Sequence, residues 1–499
     1  MATDGQSAAA GQTIPDQSGH FPTHQVVYIS KDSAQDGGYN VFSVKEDLND
    51  TEKPYDLVKS KVQHVPESVF SEFLLPDGPA DHLRDAPDRK IHVVVSTGSG
   101  TGLASKFYDS VLRPLLGHVG LSERQQSKTS PEDGGSPYTL LVTKDAQSIQ
   151  RFARDLNISA KGSRLQHTVV LLSGDGGAIE LLNGKAPGDH VDEGADATAA
   201  SPAAELLPLV AMLPLGTGNG LFHSVHKPLY ATKAGEDDGP SSLVLGLRTL
   251  LRGRPRALPS FKVDFSAGSR TIVYKESSSS SAPSSDTDGG ETVKEESDAV
   301  TQLYGAIVAS YGFHSQLVWE SDTPAYRRHG SERFKMVAAE LLKENHAYRA
   351  SVELTPANST TPTSIGRERH AYILSTPLSD LEKTFTISPA SRPLDGVLRL
   401  VHFGPVSPER TMEIMMAAYN GGSHVGMQWQ SDDGGKKTQE QVGYEAVRQV
   451  RVTTREDDAR WRKVCIDGTI VEIPRGGSMT VNMEDRPHLR LLVHPSIGK

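Results

Sequence analysis

One acidic residue, Asp175, lies in a loop whose other residues are almost all glycine. The apolar or β-branched run from Thr168 to Leu172 predicts a buried strand that is too short for a helix. Ser173-Gly-Asp-Gly-Gly177 forms the loop, and Ala178 to Leu182 begin a helix. Backbone N–H groups and the positive end of the helix dipole would meet at this point, which suits a phosphate. An acid there would bind Mg²⁺ or accept a proton from an attacking hydroxyl. Taken alone, the pattern is equally compatible with a tight turn that binds nothing.

Two more glycine-rich loops, Ser96–Gly102 and Pro214–Gly220, also follow short apolar runs. The first lacks the Gly-Lys-Ser/Thr ending of a Walker A loop and the third glycine of a dinucleotide fingerprint. In the second, an amide and a hydroxyl are available to a nucleotide, although the amide would also cap the following helix. The candidate ligand contacts are Gly98, Ser99, Gly100 and Thr101 in the first loop and Gly216, Thr217, Gly218 and Asn219 in the second.

The three loops share a predicted position because each follows a strand and precedes a helix. Strands are predicted at Ile91–Val95, Tyr138–Thr143, Thr168–Leu172 and Leu209–Leu213. This alternation predicts an α/β domain with a doubly wound parallel sheet. Ligands of such sheets lie at the carboxyl ends of the strands, where all three glycine loops would gather.

Composition divides the chain into three parts. Residues 1–90 are an N-terminal extension that is expected to be partly disordered, above all from Met1 to Thr23. Residues 91–258 are the α/β nucleotide-binding domain. Short alternating runs, of which Leu489–Val493 is the last, predict that residues 259–499 form an antiparallel, β-rich, sandwich-like domain with a disordered insert near 276–297. An active site is expected in the cleft between the two domains.

The segment Leu243–Phe261 combines leucines with four arginines. Such a segment is compatible with a basic patch that meets an anionic lipid surface and with a core-packed helix that has a basic end. The core-packed helix is the favoured interpretation.

Charge and composition exclude some classes of function. A formal net charge of −10 and a pI near 6.0 argue against a nucleic-acid partner. A single cysteine, Cys465, rules out an intrachain disulfide and fits a reducing compartment. The chain has neither a run of about 20 apolar residues, as a membrane span needs, nor a signal-peptide pattern. We therefore expect a soluble, cytoplasmic protein, with peripheral association with intracellular membranes as the further expectation.

The motifs resemble a known family. Ser173-Gly-Asp-Gly with Glu180 and Asn183-Gly184, followed by Pro214-Leu-Gly-Thr-Gly-Asn219, resembles the catalytic domain of the diacylglycerol kinase and sphingosine kinase superfamily in spacing and order. Downstream, Tyr311-Gly-Phe313 and the segment Tyr326–Phe334 are most similar to the sphingosine kinase branch. The resemblance extends over about Ile91 to Val493.

This resemblance implies an ATP-dependent lipid kinase that phosphorylates a hydroxyl of a sphingoid base, with ATP and Mg²⁺ as cofactors and a lipid substrate at a membrane surface. It assigns catalysis and Mg²⁺ binding to Asp175, and lipid binding to the β-rich domain. It assigns nucleotide contacts to Gly174, Gly176, Gly177, Glu180, Thr217, Asn219, Arg327, Arg333, Asp467 and Gly468.

Departures from the family pattern keep alternatives open. Gln316 and Val318 stand where sphingosine kinases carry Asp residues that meet the lipid amine, so a cationic sphingoid base would lose its counter-ion. A diacylglycerol kinase or another lipid kinase of this fold is therefore the first alternative. NAD kinase shares a Gly-Gly-Asp-Gly-type loop, but the later motifs argue against it. Ser96-Thr97 replaces the usual Asn-Pro and Thr469 replaces a common Glu, which motivates a third alternative, a degenerate kinase that binds nucleotide or lipid without turnover.

Overall fold

The computed structural model describes residues 13–16, 19–32, 38–75, 80–84, 86–100, 102–124, 136–160, 164–184, 206–230, 239–276, 293–433 and 436–498. The chain divides into two compact units. The first comprises Met1–Leu258 together with Arg486–Lys499, and the second comprises Pro259–Asp485.

The first unit is built around a seven-stranded sheet. Its strands, in spatial order, are Arg254–Ala257, Arg490–Val493, Leu209–Pro214, Gln166–Ser173, Arg89–Val95, Ser136–Val142 and Leu121–Glu123. The edge strand Arg254–Ala257 is antiparallel to its neighbour, and every other neighbouring pair is parallel. The predicted mainly parallel sheet is therefore confirmed.

Helices cover this sheet. Those of the first unit are Glu67–Phe73, Ala104–Phe107, Arg113–His118, Ser148–Ala160, Asp175–Leu182, Gly220–Tyr230 and Ser242–Arg252, with a π-helical turn at Tyr108–Leu112 and 3₁₀ turns at Thr23–Gln25 and Asp81–Leu83. Val169, Val170, Leu171 and Leu172 are each at most 1% exposed. Since successive strand residues point to opposite faces, both faces of the sheet are buried, as is usual for parallel sheets.

The helix Ser242–Arg252 packs into the core of this unit. Leu247, Leu250 and Leu251 are buried and belong to the cluster that also holds Val170 and Leu213. The favoured interpretation of this leucine-rich segment as a core-packed helix is therefore confirmed. None of the helices in the described residues is long and apolar enough to cross a membrane.

The N-terminal extension contains regular structure, including two strands within the segment expected to be disordered. Thr13–Asp16 pairs with Gly19–Pro22, inside the segment expected to be disordered. Val26–Lys31, Tyr39–Glu46 and Tyr55–Val62 form a three-stranded antiparallel sheet. Val26, Val41 and Phe73 pack in one buried cluster, so the sheet and the helix Glu67–Phe73 share a small core. The rest of the expected tail lies outside the described residues.

The second unit is built on a 14-stranded sheet whose strand pairs are antiparallel. Its strands are Phe261–Phe265, Arg270–Glu276, Val293–Ala299, Gln302–Gly305, Ala309–Gly312, Tyr348–Pro356, Thr363–Ser364, Arg369–His370, Tyr372–Thr376, Leu398–Phe403, Gly443–Thr454, Lys463–Ile466, Thr469–Glu472 and Ser478–Met483; Gln428–Asp433 and Lys436–Gln441 form a separate hairpin. The helices are Phe313–Ser321, Pro324–Arg327, Glu332–Glu344 and Pro408–Tyr419, with a 3₁₀ turn at Ala459–Trp461.

This sheet encloses one core. Phe261, Tyr311, Val352, Leu400 and Val481 come from strands across its width and belong to a single buried cluster. The antiparallel, β-rich character is as predicted. The sandwich-like arrangement differs, because the strands form one continuous hydrogen-bonded sheet that curls around its core.

Two segments differ from the sequence-based expectation. The final strand, Arg490–Val493, lies beside Leu209–Pro214 in the parallel sheet of the first unit, although the run Leu489–Val493 was expected in the β-rich domain. Val293–Ala299 pairs with Arg270–Glu276, inside the expected disordered insert. The middle of that insert, 277–292, lies outside the described residues.

Candidate active site

The three glycine loops lie side by side at the carboxyl ends of neighbouring parallel strands. Ser96 N–H donates to the Leu172 carbonyl at 3.0 Å, and Leu215 N–H donates to the Ser173 carbonyl at 3.1 Å. The sheet ladder thus continues into the loops and places them together. We call the segments 96–100, 173–177 and 215–219 the glycine-loop cluster.

Three glycines allow the backbones of this cluster to touch. A Cβ added to Gly216 would lie 2.3 Å from the Gly174 Cα, and one on Gly174 would lie 2.8 Å from the Gly216 Cα. Gly100 has a φ of +56°, and a Cβ there would lie 2.3 Å from the Leu215 carbonyl oxygen. No side chain fits at these positions, so the glycines are required by the packing of the loops.

Gly98 and Gly176 differ from these three glycines. A Cβ added to either would meet nothing within 4 Å. Gly176 lies in the first turn of the helix Asp175–Leu182, where backbone N–H groups lack partners within the helix. This open backbone surface at a helix N-terminus is suited to an anion.

The Asp175 carboxylate holds the start of a second helix. Its Oδ2 accepts from Gly220 N–H at 2.7 Å and its Oδ1 accepts from Leu221 N–H at 3.1 Å, at the start of Gly220–Tyr230. Burial raises the pKa of Asp175 to about 6, against the opposing effect of these two hydrogen bonds. Each oxygen accepts one bond and so retains a lone pair for a cation or a proton.

The first loop is tied to its neighbours through hydroxyl groups. Ser99 Oγ accepts from Gly174 N–H at 2.8 Å, which leaves the serine proton available to a ligand. Thr97 N–H donates to Thr143 Oγ1 at 3.0 Å, and Thr97 Oγ1 donates to the Thr143 carbonyl at 3.0 Å. Sequence reasoning missed Thr143, for which the only signal was its place at the end of a predicted strand. Thr101 lies outside the described residues.

Asn219 stabilises its own loop. It has a φ of +53°, its Oδ1 accepts from Gly216 N–H at 3.0 Å, and its Nδ2 donates to the Gly216 carbonyl at 2.7 Å. The amide expected to contact a nucleotide or cap the next helix therefore holds the turn, and Asp175 supplies that cap. In the same loop, Thr217 is exposed and Gly218 is half-buried.

Glu180 lies on the same helix as Asp175 but has no polar contact at one oxygen. Its Oε2 is buried without a hydrogen-bond partner in the described residues. Burial raises the pKa of Glu180 to about 7. Gly177, in the turn between these acids, packs closely, because a Cβ there would lie 2.6 Å from Ser173 Oγ.

The two predicted arginines lie in the second unit and share one carboxylate. Arg327 Nε donates to Asp322 Oδ1 at 3.1 Å, and a terminal nitrogen of Arg327 lies 2.6 Å from Asp322 Oδ2. Arg333 reaches the same group at 3.8 Å, and its buried Nε has no hydrogen-bond partner in the described residues. Two guanidinium groups therefore face one acid.

The Asp467 carboxylate accepts hydrogen bonds from backbone N–H groups. It has a φ of +48°, its Oδ2 accepts from Ala306 N–H at 2.7 Å, and its Oδ1 accepts from Val308 N–H at 2.5 Å. Ile307 N–H reaches both oxygens, at 3.1 and 3.3 Å. The carboxylate expected to contact a nucleotide thus holds the loop 306–308, and Gly468, with a φ of +89°, completes the turn.

The positions that would meet a lipid amine carry no acid. Gln316 is fully buried, and its Nε2 donates to Glu320 Oε1 at 2.6 Å. Val318 packs on the apolar cluster of Ile272 and Trp319. Neither side chain carries a charge, so neither can pair with an ammonium group.

A metal ion would have one carboxylate to bind in the cluster. The described residues contain no group of three or more His, Cys, Asp or Glu side chains that could hold a metal. Mg²⁺ is commonly held by one or two carboxylates together with substrate phosphates and water. The free lone pairs of Asp175 fit an ion that arrives with a nucleotide.

Comparison with known proteins gives one family match. Residues 90–237 match the model of the diacylglycerol kinase catalytic domain. No curated protein matches the sequence. A diacylglycerol kinase structure from Bacillus anthracis str. Sterne is 9% identical with a TM-score of 0.42, covering 83% of this chain and 100% of that one. Two more structures from this bacterium, provisionally assigned the same activity, are each 10% identical, with TM-scores of 0.45 and 0.44, and cover 83% of this chain and 100% and 99% of theirs.

The family match covers residues 90–237. That range contains all three glycine loops and Asp175. Within the first unit, residues 90–237 are therefore similar to the catalytic domain of diacylglycerol kinases.

Proposed function

We propose that the protein is an ATP-dependent lipid kinase that phosphorylates a hydroxyl of a neutral lipid such as diacylglycerol. The observation that carries this proposal is the position of Asp175, in the glycine-loop cluster and within the range that matches the diacylglycerol kinase catalytic domain. Phosphoryl transfer needs mainly positioning and charge stabilisation. The glycine-loop cluster would provide both, because its backbone segments pack closely together and it carries one acid.

The backbone of the cluster would bind the phosphates of ATP. The open sides of Gly98 and Gly176 allow close approach, and the first turn of Asp175–Leu182 offers N–H groups and a positive dipole end. The Ser99 hydroxyl, which accepts from Gly174, would donate its proton to a phosphate oxygen. In the second unit, Arg327 and Arg333 are the residues proposed to neutralise phosphate charge, because both guanidinium groups lie beside the carboxylate of Asp322.

Asp175 would accept the proton of the lipid hydroxyl or bind Mg²⁺ beside it. With a pKa of about 6, the carboxylate is roughly ten-to-one ionised at pH 7, so it can take either role. Its hydrogen bonds to Gly220 and Leu221 fix its orientation, so little reorganisation is needed at the moment of reaction. Bound Mg²⁺ would offset the charge that develops on the phosphate oxygens.

The uncharged side chains of Gln316 and Val318 favour a neutral head group. A sphingoid base is the second candidate, favoured by the resemblance of Tyr311–Phe313 and Tyr326–Phe334 to sphingosine kinases. A lipid substrate implies work at a membrane surface, and we propose peripheral association with a cytoplasmic leaflet. The degenerate-kinase alternative depends on Ser96-Thr97 and Thr469, and the same experiment tests it.

The test is transfer of labelled phosphate from ATP–Mg²⁺ onto a panel of diacylglycerol, sphingosine, dihydrosphingosine, ceramide and NAD. Asp175→Asn and a matched variant, Asp109→Asn, are assayed alongside. Asp109 is an exposed acid of the first unit that pairs with Arg113 at 3.2 Å. We expect labelled phosphatidic acid from the wild type and from Asp109→Asn but not from Asp175→Asn.

Each other outcome has a distinct meaning. Labelled sphingosine phosphate in place of labelled phosphatidic acid would overturn the assignment of a neutral head group and would still identify a lipid kinase. Labelled NAD would identify an NAD kinase. ATP binding without any labelled product would support the degenerate kinase and overturn the proposal.

A further inference from the structure

A basic cavity lies at the end of the sheet opposite the glycine loops. It has a volume of about 410 Å³, and its lining includes Arg89, Gln166, Leu209 and Arg490, the first residues of four neighbouring strands. The glycine loops follow the last residues of such strands. Because a strand rises about 3.3 Å per residue, Gln166 and Gly174 are roughly 25 Å apart. The cavity is therefore a separate place from the candidate active site.

The lining of the cavity is strongly cationic. Arg89 and Arg490 come from the sheet, and Arg252 and Arg254 come from the end of the helix Ser242–Arg252 and the edge strand that follows it. Among the described lining residues the acid is Asp81, whose carboxylate pairs with Arg84 at 3.3 Å. Four arginines, of which Arg254 is exposed, thus line a space whose one described acid already has a cation beside it.

Neutral groups hold the two arginines of the sheet. Arg89 donates from Nε and a terminal nitrogen to Gln166 Oε1, at 3.3 and 3.0 Å, and from its other terminal nitrogen to the Asp81 carbonyl. Arg490 Nε donates to the Leu207 carbonyl at 3.1 Å. These bonds fix both guanidinium groups in place, and the bonds of Arg89 all go to neutral groups.

Arg252 and Arg254 are not held by such bonds. Within the described residues neither side chain makes a hydrogen bond or an ion pair. Burial lowers the pKa of Arg252, and the attraction of Glu72 only partly opposes this effect. Neighbouring cations repel one another, and Glu72 offsets this only in part at Arg252, so an anion in the cavity would stabilise the arrangement.

We propose that this cavity binds a phosphate-bearing ligand. A phosphate monoester carries close to two negative charges and three acceptor oxygens, so it can engage two or more guanidinium forks at once. A carboxylate has one charge and two oxygens and would leave most of the cationic lining unmatched. A volume of about 410 Å³ lies in the range of small-ligand sites and admits a small organophosphate or a phospholipid head group.

The test measures binding to the full chain with two probes, inorganic pyrophosphate by calorimetry and vesicles of phosphatidylcholine containing phosphatidic acid by co-sedimentation. Arg252→Gln/Arg254→Gln removes the two unpaired guanidinium groups, and Arg254→Gln alone is the milder variant in case the double variant is unstable. Arg256→Gln is the matched control, because Arg256 lies on the same strand outside the cavity lining and donates to the Pro255 and Gly498 carbonyls.

We expect at least a tenfold loss of affinity in the double variant, a smaller loss in Arg254→Gln, and less than a twofold change in Arg256→Gln. A selective loss of pyrophosphate binding would identify a soluble ligand, and a selective loss of vesicle binding would identify a lipid head group. Pyrophosphate held only by the glycine loops would bind all variants alike. That result, or equal losses in the control, would overturn the proposal.

Discussion

Asp175 and Asp467 occupy similar sequence contexts and have different surroundings. Each follows a buried strand, is followed by glycine, and accepts hydrogen bonds from backbone N–H groups far away in sequence. Asp175 accepts one bond at each oxygen. Asp467 accepts two at each, from the three consecutive residues 306–308.

The difference lies in how many lone pairs are left. An ionised carboxylate has about four acceptor positions. The backbone fills those of Asp467, whereas two remain at Asp175. A glycine-flanked aspartate can therefore be a structural clamp, by which we mean a carboxylate that only holds backbone segments in place, or a reactive group. The number of backbone donors around it in the fold decides between these roles. We interpret Asp467 as a clamp and Asp175 as both.

The largest expected effect is loss of turnover in Asp175→Asn. An amide cannot accept a proton at neutral pH and binds Mg²⁺ weakly, so we expect kcat to fall about 10²–10⁴-fold. The amide oxygen can still accept from one of the two helix N–H groups, so the free energy of unfolding should change by about 1 kcal/mol. Kinetics with labelled ATP measure the first effect and thermal unfolding the second. A folded Asp175→Asn protein with near-normal kcat would make both aspartates clamps.

The opposite result is expected for Asp467→Asn. Asparagine tolerates a φ of +48°, so the substitution tests the hydrogen bonds rather than the backbone conformation. Its NH₂ group would face buried N–H groups of 306–308, which should lower the free energy of unfolding by about 2–3 kcal/mol. The kcat per folded molecule should be retained.

Tryptophan fluorescence separates the two aspartate variants. The three tryptophans, Trp319, Trp429 and Trp461, all lie in the second unit. Urea unfolding followed by their emission should shift in Asp467→Asn and not in Asp175→Asn. Should Asp467→Asn abolish turnover and leave this transition unchanged, Asp467 would be a ligand contact and the comparison would fail.

A pair of glycine substitutions tests whether the loops around Asp175 are rigid where they touch and open where a ligand would lie. In Gly216→Ala the new Cβ would meet the Gly174 Cα at 2.3 Å, so we expect a loss of about 1–3 kcal/mol in the free energy of unfolding. In Gly176→Ala the Cβ meets nothing within 4 Å, and stability should be kept or rise by about 0.5–1 kcal/mol.

We expect Gly176→Ala, the substitution that should leave the fold stable, to be the one that weakens nucleotide binding. We expect Gly176→Ala to weaken ATP binding about tenfold, or by 1.4 kcal/mol, because its methyl group occupies space offered to a phosphate. Calorimetric titration with ATP measures this. Unchanged ATP affinity in Gly176→Ala would place the nucleotide elsewhere.

Much of the fold of the first unit could be predicted from local signals. The apolar runs Ile91–Val95 and Thr168–Leu172, with a glycine loop and a helix after each, were sufficient to predict parallel strands. The placement of Arg490–Val493 was not accessible in this way. A four-residue strand contains no local signal for its partner, and this strand pairs with Leu209–Pro214 from the middle of the chain.

The gathering of the glycine loops was likewise predictable, since the rule for parallel sheets places them at one edge. The roles of individual polar side chains were not. Asp467 is 161 residues from Ala306, and Asp175 is 45 residues from Gly220. Whether backbone N–H groups occupy all the acceptor positions of such a carboxylate depends on chain segments that come together only in the folded state. Asn219 differs again, because its partner, Gly216, is three residues away in a turn that its φ of +53° allows, and its predicted contact with a nucleotide stays a prediction.

Glu180 extends the comparison to a carboxylate whose buried Oε2 has no hydrogen-bond donor within the part of the chain that the structure describes. Burial raises its pKa from 4.5 to about 7, so the folded protein holds this proton more tightly than the unfolded chain. The resulting stability is fully present below about pH 4.5 and is lost as the pH rises through about 7. Glu180→Gln has no proton to lose. It should therefore gain stability relative to the wild type as the pH rises through these values, reaching about 1–2 kcal/mol at pH 8 once the partial exposure of the group is allowed for. Thermal unfolding by circular dichroism across this range measures the difference, with exposed Glu52→Gln as control.

If ATP supplies a hydrogen-bond donor to Glu180, the order of stability should reverse in its presence, because the charged form would then be the bound form. If the wild type and Glu180→Gln differ in stability by the same amount across this pH range, with and without ATP, Glu180 is a solvated surface acid. Only the comparison of the two aspartates would then remain.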